Sequence, residues 1–136
     1  MQTLSGNWEG YFTYGEHYPE KIIGKSVRFY IELEEKDGYF KGFCKDENLP
    51  GHTATISGFI DDTFISFVKR YPFALQMDEE GNSRIDPEKP PHDIHYSGNL
   101  LPDGVEGVFE FGNLPSFVHS EEVYEGGPFK MIRVTS

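Results

Sequence analysis

The segment KSVRFYIELEE, residues 25–35, constrains the chain more than any other stretch. Val27, Phe29, Ile31 and Leu33 share one face of an extended strand, and Arg28, Tyr30, Glu32 and Glu34 share the other. Successive side chains of a strand point to opposite sides, so this alternation describes a sheet with one buried face and one wet face.

The same period recurs along the chain. KDG at 36–38 reads as a hairpin turn with a glycine available for a positive φ. YFKGFCKD then keeps Phe40, Gly42, Cys44 and Asp46 in phase, and TATISGFI sets Ala54, Ile56, Gly58 and Ile60 against Thr53, Thr55, Ser57 and Phe59. DIHYSGNLL and VEGVFEF, joined by PDG, align Ile94, Tyr96, Gly98 and Leu100 with Val105, Gly107, Phe109 and Phe111. At the two ends, SGNWEGYFTY places Trp8, Gly10, Phe12 and Tyr14 on one face, and PFKMIRVT places Phe129, Met131 and Arg133 together. TFISFVKRY offers two mixed faces; Ile65, Phe67, Lys69 and Tyr71 are read as inward, with Phe64, Ser66, Val68 and Arg70 as the alternative. Four prolines and DEEGNS exclude a central strand over 72–92, leaving a long loop with room for a small hairpin at Glu80–Gly81. GNLPSFVHSEEVYEGG, residues 112–127, reads as a second irregular stretch.

Eight extended segments and no convincing helix predict an all-β chain, a single domain over 1–136, folded as an eight-stranded antiparallel up-and-down β-barrel. Aromatics at 15% and 15 glycines fit strands and tight turns. A two-sheet sandwich is the alternative. The links around KDG, DD and PDG are tight and alternate with longer ones, so the tight turns and both termini fall at one end. The pattern is a cup with a closed base and a loop-decorated mouth.

Trp8 opens the first strand and Arg133 closes the last, and these two strands are neighbours in a closed barrel. The guanidinium is expected across the indole, a contact of about 0.5–2 kcal/mol, with Gly10 making room above the ring. At the mouth, Tyr14, Asp46, Lys69, Tyr71, Tyr96 and Phe111 are expected to face inward as a mostly aromatic wall with few polar groups, as small-molecule sites have. An inward Lys69 requires a partner, and Asp46 is the candidate.

Lys and Arg total 12 against 23 Asp and Glu, a formal charge of −11 that disfavours nucleic acid and anionic membrane surfaces as partners. One cysteine, Cys44, allows no internal disulfide, and with no secretory signal or apolar span the expected location is cytoplasmic. Cys44 reads as a small inward hydrophobe, Ser116 and Ser120 lack a nucleophile elbow, and Asp61–Asp62 reads as a solvated turn. No phosphate-cradling loop is present. His17, His52, His92 and His119 fall in or beside the four longer links, where ordinary loop residues are the better reading than metal ligands. His92 and His95 would point to opposite faces of a strand. No catalytic residue, metal or cofactor is assigned, and the oligomeric state stays open.

Gly6-Asn7-Trp8 on the first strand and Arg133 on the last resemble the signature of the calycin superfamily, whose Gly-x-Trp opens the barrel and whose late Arg packs on the Trp. GEHYPEKIIGK is too short for the helical pair of fatty-acid-binding proteins, so the resemblance is to lipocalin-like or avidin-like forms, without the flanking lipocalin helix. Tyr18-Pro19 after Gly-x-Trp-x-Gly also resembles nitrobindin-type haem barrels, but PFKMIRVTS lacks their histidine. The spacing is similar to small bacterial lipocalin-like proteins. The resemblance implies a ligand-holding cup. The expected function is non-catalytic binding of a small, partly apolar ligand, acidic or aromatic. The alternatives are a Tyr/Lys/Asp acid–base enzyme, as in the similar phenolic acid decarboxylase barrels, and a solid scaffold whose interior is filled by Phe12, Phe67, Phe109 and Phe129.

Overall fold

The computed structural model describes residues 4–16, 18–47, 49, 51–77, 83–86, 88, 93–111 and 124–134. Among the described residues ten strands run β1 Gly6–Thr13, β2 Ser26–Lys36, β3 Tyr39–Asp46, β4 Ala54–Asp61, β5 Phe64–Arg70, β6 Ala74–Met77, β7 Ser83–Asp86, β8 Asp93–Leu101, β9 Gly104–Phe111 and β10 Tyr124–Val134. Eight of them close in the order β1-β10-β9-β8-β5-β4-β3-β2, and every neighbouring pair is antiparallel. The barrel is therefore up-and-down, and closure leaves no unpaired edge. β6 and β7 form a separate two-stranded sheet between β5 and β8, the hairpin expected inside the proline-rich stretch.

Alternation governs the faces. On β2, Phe29, Ile31 and Leu33 are buried while Arg28, Tyr30, Glu32 and Glu34 are exposed. On β5, Ile65, Phe67 and Lys69 are buried, with Tyr71 just beyond, so the inward set is the first of the two considered. Asp37 and Gly38 both take positive φ, 54° and 84°, the geometry a two-residue hairpin needs to match strand twist. The three tight turns meet at one end, where Ile60 N–H donates to the Gly38 carbonyl at 2.8 Å and Leu100 N–H to the Thr63 carbonyl at 2.7 Å. The N-terminal segment closes the same end: Leu4 N–H donates to Glu35 Oε1 at 2.7 Å, and Ser5 Oγ accepts from Glu35 N–H at 2.9 Å.

β1 and β10 zip together with Trp8 opposite Arg133. The Trp8 ring is buried, its Nε1–H donates to the Leu4 carbonyl at 2.9 Å, and the Arg133 guanidinium lies 4.6 Å from the ring centroid. Gly6 lies under the guanidinium: its φ of +131° is one that residues with a side chain rarely adopt, and a Cβ there would sit 3.0 Å from Arg133 Nη1, a contact the guanidinium would have to ease by shifting slightly.

One expectation is extended and one corrected. The nearest atoms that a Cβ at Gly10 would meet are the Lys130 carbonyl and Met131 Cβ, the latter at 2.6 Å, so the missing side chain lets the β10 backbone press onto β1. Tyr124–Gly127, read as part of an irregular stretch, belongs to β10. The strand passes through this segment with a register shift between Glu125 and Gly127, and Gly127 takes φ 148°. Glycines that read as a loop signal serve here as a bulge within a strand.

Candidate functional site

The inward phase brings three polar residues to the loop end of the barrel. Asp46 ends β3, Lys69 is the penultimate residue of β5, and Tyr71 follows β5 by one residue. Lys69 Nζ donates to Asp46 Oδ1 at 2.7 Å and to Oδ2 at 2.8 Å. The Tyr71 hydroxyl donates to Asp46 Oδ2, and the Cys44 thiol reaches Oδ1 at 3.5 Å. The side chains of Lys69 and Asp46 are 2% and 0% exposed, so this ion pair is withdrawn from solvent.

Aromatic rings enclose the ammonium. Lys69 Nζ stands 5.2 Å from the centroids of Phe12 and Tyr71 and 5.8 Å from those of Phe29 and Tyr96. Below it, rings pack continuously toward the base: Tyr96 stacks on Phe67 at 4.9 Å and on Phe109 at 5.5 Å, and Phe129 and Phe40 meet Phe67 at 6.0 and 5.9 Å. Above it, Tyr14 packs edge-on against Tyr18 at 4.6 Å and Phe12 at 5.5 Å, and Tyr71 stacks on Phe73 at 5.8 Å. Phe12, Phe67, Phe109 and Phe129 are all buried, so rings fill the barrel at and just below the level of Lys69.

Five of the six expected wall residues, Tyr14, Asp46, Lys69, Tyr71 and Tyr96, are buried at this end. Phe111 pairs through its backbone with Ile94 and Tyr124, and its side chain lies outside the described residues. Tyr18 went unrecognised because it sits in a link, where strand alternation has no meaning. Phe12 and Phe29 read correctly as inward, but nothing in their spacing marks them as the walls of an ammonium cage. A 3₁₀ turn at Glu20–Ile22 buries Ile22 near the same end.

Burial acts to strip the Lys69 proton, but the charges of Cys44 and Asp46 outweigh it and hold the ammonium above its ordinary range. The Cys44 thiol is itself pushed up to about 12, first by burial, with Lys69 opposing and Asp46 adding to the rise. It is therefore neutral near pH 7, and Asp46 is the group that keeps Lys69 charged there. Burial, then Asp46, drives the Tyr96 phenol well above its usual value. Burial followed by Tyr14 raises that of Tyr18.

The Cys44 shift has a measurable consequence. A free thiol titrates near about 8.5, so the unfolded chain releases this proton before the folded one does. The contribution to stability is fully present below about pH 8.5 and declines as pH rises toward about 12. Native protein at pH 8 is expected to resist a disulfide reagent that titrates Cys44 fully in urea. Rapid labelling without denaturant would contradict the buried thiol.

Elsewhere the outer wall carries ordinary surface chemistry. Arg70 and Asp93 pair at 2.5 and 2.9 Å but are well exposed, so the bridge adds little. Ser66 Oγ and His95 Nε2 share a 2.7 Å hydrogen bond. His52 packs edge-on against Phe73 at 4.9 Å. A groove of about 270 Å³ beside it is lined by Tyr30, Lys45, Asp46, Leu49 and His52 among others. His17, His92 and His119 lie outside the described residues, and among those described no cluster of three or more His, Cys, Asp or Glu could hold a metal. Among the described residues no helix is long and apolar enough to cross a membrane.

Comparison with protein-family models, with curated proteins and with solved structures finds no significant match to this chain.

Proposed function

We propose that the protein is a cytoplasmic, calycin-like barrel that binds a small, partly apolar molecule at its loop end without transforming it. Calycin kinship rests on Gly6, Trp8 and Arg133, where the guanidinium lies over the buried indole and beside the glycine. The site reading rests on one observation: a buried Lys69–Asp46–Tyr71 constellation directly beneath partly exposed rings, Tyr18 and Phe73. A buried ion pair is poor evidence of stabilisation, since apolar residues of similar volume do as well or better. Titratable groups with strongly perturbed environments at an opening are candidates for function.

The chemistry narrows the ligand. Asp46 already neutralises Lys69, so a ligand carboxylate would add a second negative charge at a dry site. A flat aromatic head with a hydroxyl or a protonated acid group avoids that charge and still meets the phenols of Tyr14 and Tyr71. The Tyr71 oxygen, which donates to Asp46, keeps lone pairs to accept from such a group. Acid–base catalysis is less well supported, because a general acid works best with a pKa near the operating pH and Tyr96 is driven far above it.

Thermal-shift and native mass-spectrometry screening against phenols, aromatic acids, fatty acids and haem tests the reading. The expected result is saturable binding of an aromatic ligand with no product. Tyr71→Phe, which keeps the ring, should weaken that binding by about 3- to 10-fold, the worth of one hydrogen bond. Unchanged affinity in this variant would remove Tyr71 from the site, and product formation would favour an enzyme. The packed rings of Phe12, Phe67, Phe109 and Phe129 favour a second reading, a solid scaffold whose loops bind a protein; silence across every ligand class would support it.

A further inference from the structure

We propose that the rings of Phe12, Phe29, Tyr71 and Tyr96, together with the Asp46 carboxylate, form a binding box for a primary alkylammonium, and that the chain's own Lys69 is its occupant. Recognition of an ammonium in a dry site needs two things: a counter-charge that accepts N–H bonds, and ring faces whose negative quadrupole attracts the cation within about 6 Å. Asp46 supplies the first with both oxygens at 2.7 and 2.8 Å. The second comes from four rings at 5.2 to 5.8 Å.

The contributors converge from separate parts of the chain: Phe12 from β1, Phe29 from β2, Asp46 from β3, Tyr71 from the residues after β5, and Tyr96 from β8. Neutralising a lysine takes one carboxylate. Surrounding its head group with four rings as well is the composition of a receptor, and here the ligand is tethered through the β5 backbone. Emptied of Lys69, the box would hold an uncompensated carboxylate among aromatic faces, a strong preference for a compact cation over a neutral molecule of the same shape. This inference is independent of any ligand at the mouth and stands or falls separately.

Lys69→Ala removes three methylenes and the ammonium, a gap that n-propylammonium matches atom for atom. At constant ionic strength, n-propylammonium chloride is expected to raise the melting temperature of Lys69→Ala in a saturable way and to leave the wild type unmoved. Its affinity should exceed that of n-propanol by at least about tenfold, as a desolvated cation–π site with a counter-charge requires. Adding Asp46→Asn should abolish the response, and adding Phe29→Leu should weaken it. If Lys69→Ala does not fold in buffer, recovery of a cooperative transition by propylammonium and not by propanol supports the box. Equal responses to amine and alcohol, an equal shift in the wild type, or no recovery by either would overturn it.

Discussion

Truncation of Trp8 to alanine is expected to lower the unfolding free energy by about 3–5 kcal/mol, the range for large aromatic deletions from a packed core. The indole is 2% exposed, so nearly all of its area is lost to the cavity. Its Nε1–H bond to the Leu4 carbonyl at 2.9 Å is lost with it, which leaves that carbonyl without the indole that ties the N-terminal segment to the base. The Arg133 guanidinium, which stacks on the ring at 4.6 Å, donates to the Ser5 carbonyl at 2.5 Å and loses its platform. Because Arg133 is exposed, its cation–π share is the small end of the scale, about 0.5–1 kcal/mol. Arg133→Ala should therefore cost much less than Trp8→Ala. Urea unfolding followed by far-ultraviolet circular dichroism measures both, since the variant has no tryptophan to report by fluorescence. A loss below about 1 kcal/mol in Trp8→Ala would mean that the β1–β10 seam does not depend on the indole.

A comparable loss is expected when one half of the buried ion pair is removed. Asp46→Asn leaves Lys69, which is 1% exposed, to hold its charge without a partner or to give up its proton, and Lys69→Met leaves the buried carboxylate in the same position. Breaking such a pair from one side costs about 3–5 kcal/mol, because the remaining charge stays buried without compensation. The Tyr71 hydroxyl and the Cys44 thiol, both directed at Asp46, do not replace an ammonium. Combining Lys69→Met with Asp46→Leu should recover much of the loss, since an apolar pair carries no desolvation penalty. Chemical denaturation of wild type, Lys69→Met, Asp46→Leu and the double variant forms a complete cycle. Additive losses, or singles within about 1 kcal/mol of wild type, would show that the pair is hydrated or unpaired in solution.

Much of this cluster was legible before the fold was known. A strand's side-chain period is two, so Lys69 and Tyr71 must share the face of Phe67; TFISFVKRY has two mixed faces, and the burial of Ile65, Phe67 and Lys69 is what decides that this one is inward. The same rule places Asp46 with Cys44 and Phe40, and an inward lysine calls for an inward acid because a lone buried charge is too costly. Tyr18 escaped because a link has no period. The bulge at Glu125–Gly127 escaped because paired glycines signal loops and bulges alike. Gly10 was placed on the correct face, but its press against Lys130 and Met131, at the far end of the chain, has no local signal.

The local pattern of residues determined which segments extend, which side of each is buried, and where tight turns reverse the chain, because these depend on neighbours within a few positions. The pairing of β1 with β10, the press of Met131 against Gly10, and the convergence of Phe12, Phe29, Tyr71 and Tyr96 on one ammonium were decided only by closure of the barrel. Closure sets the shear and coil that slide one strand past the next, and through them the distances between residues that share nothing but an inward face.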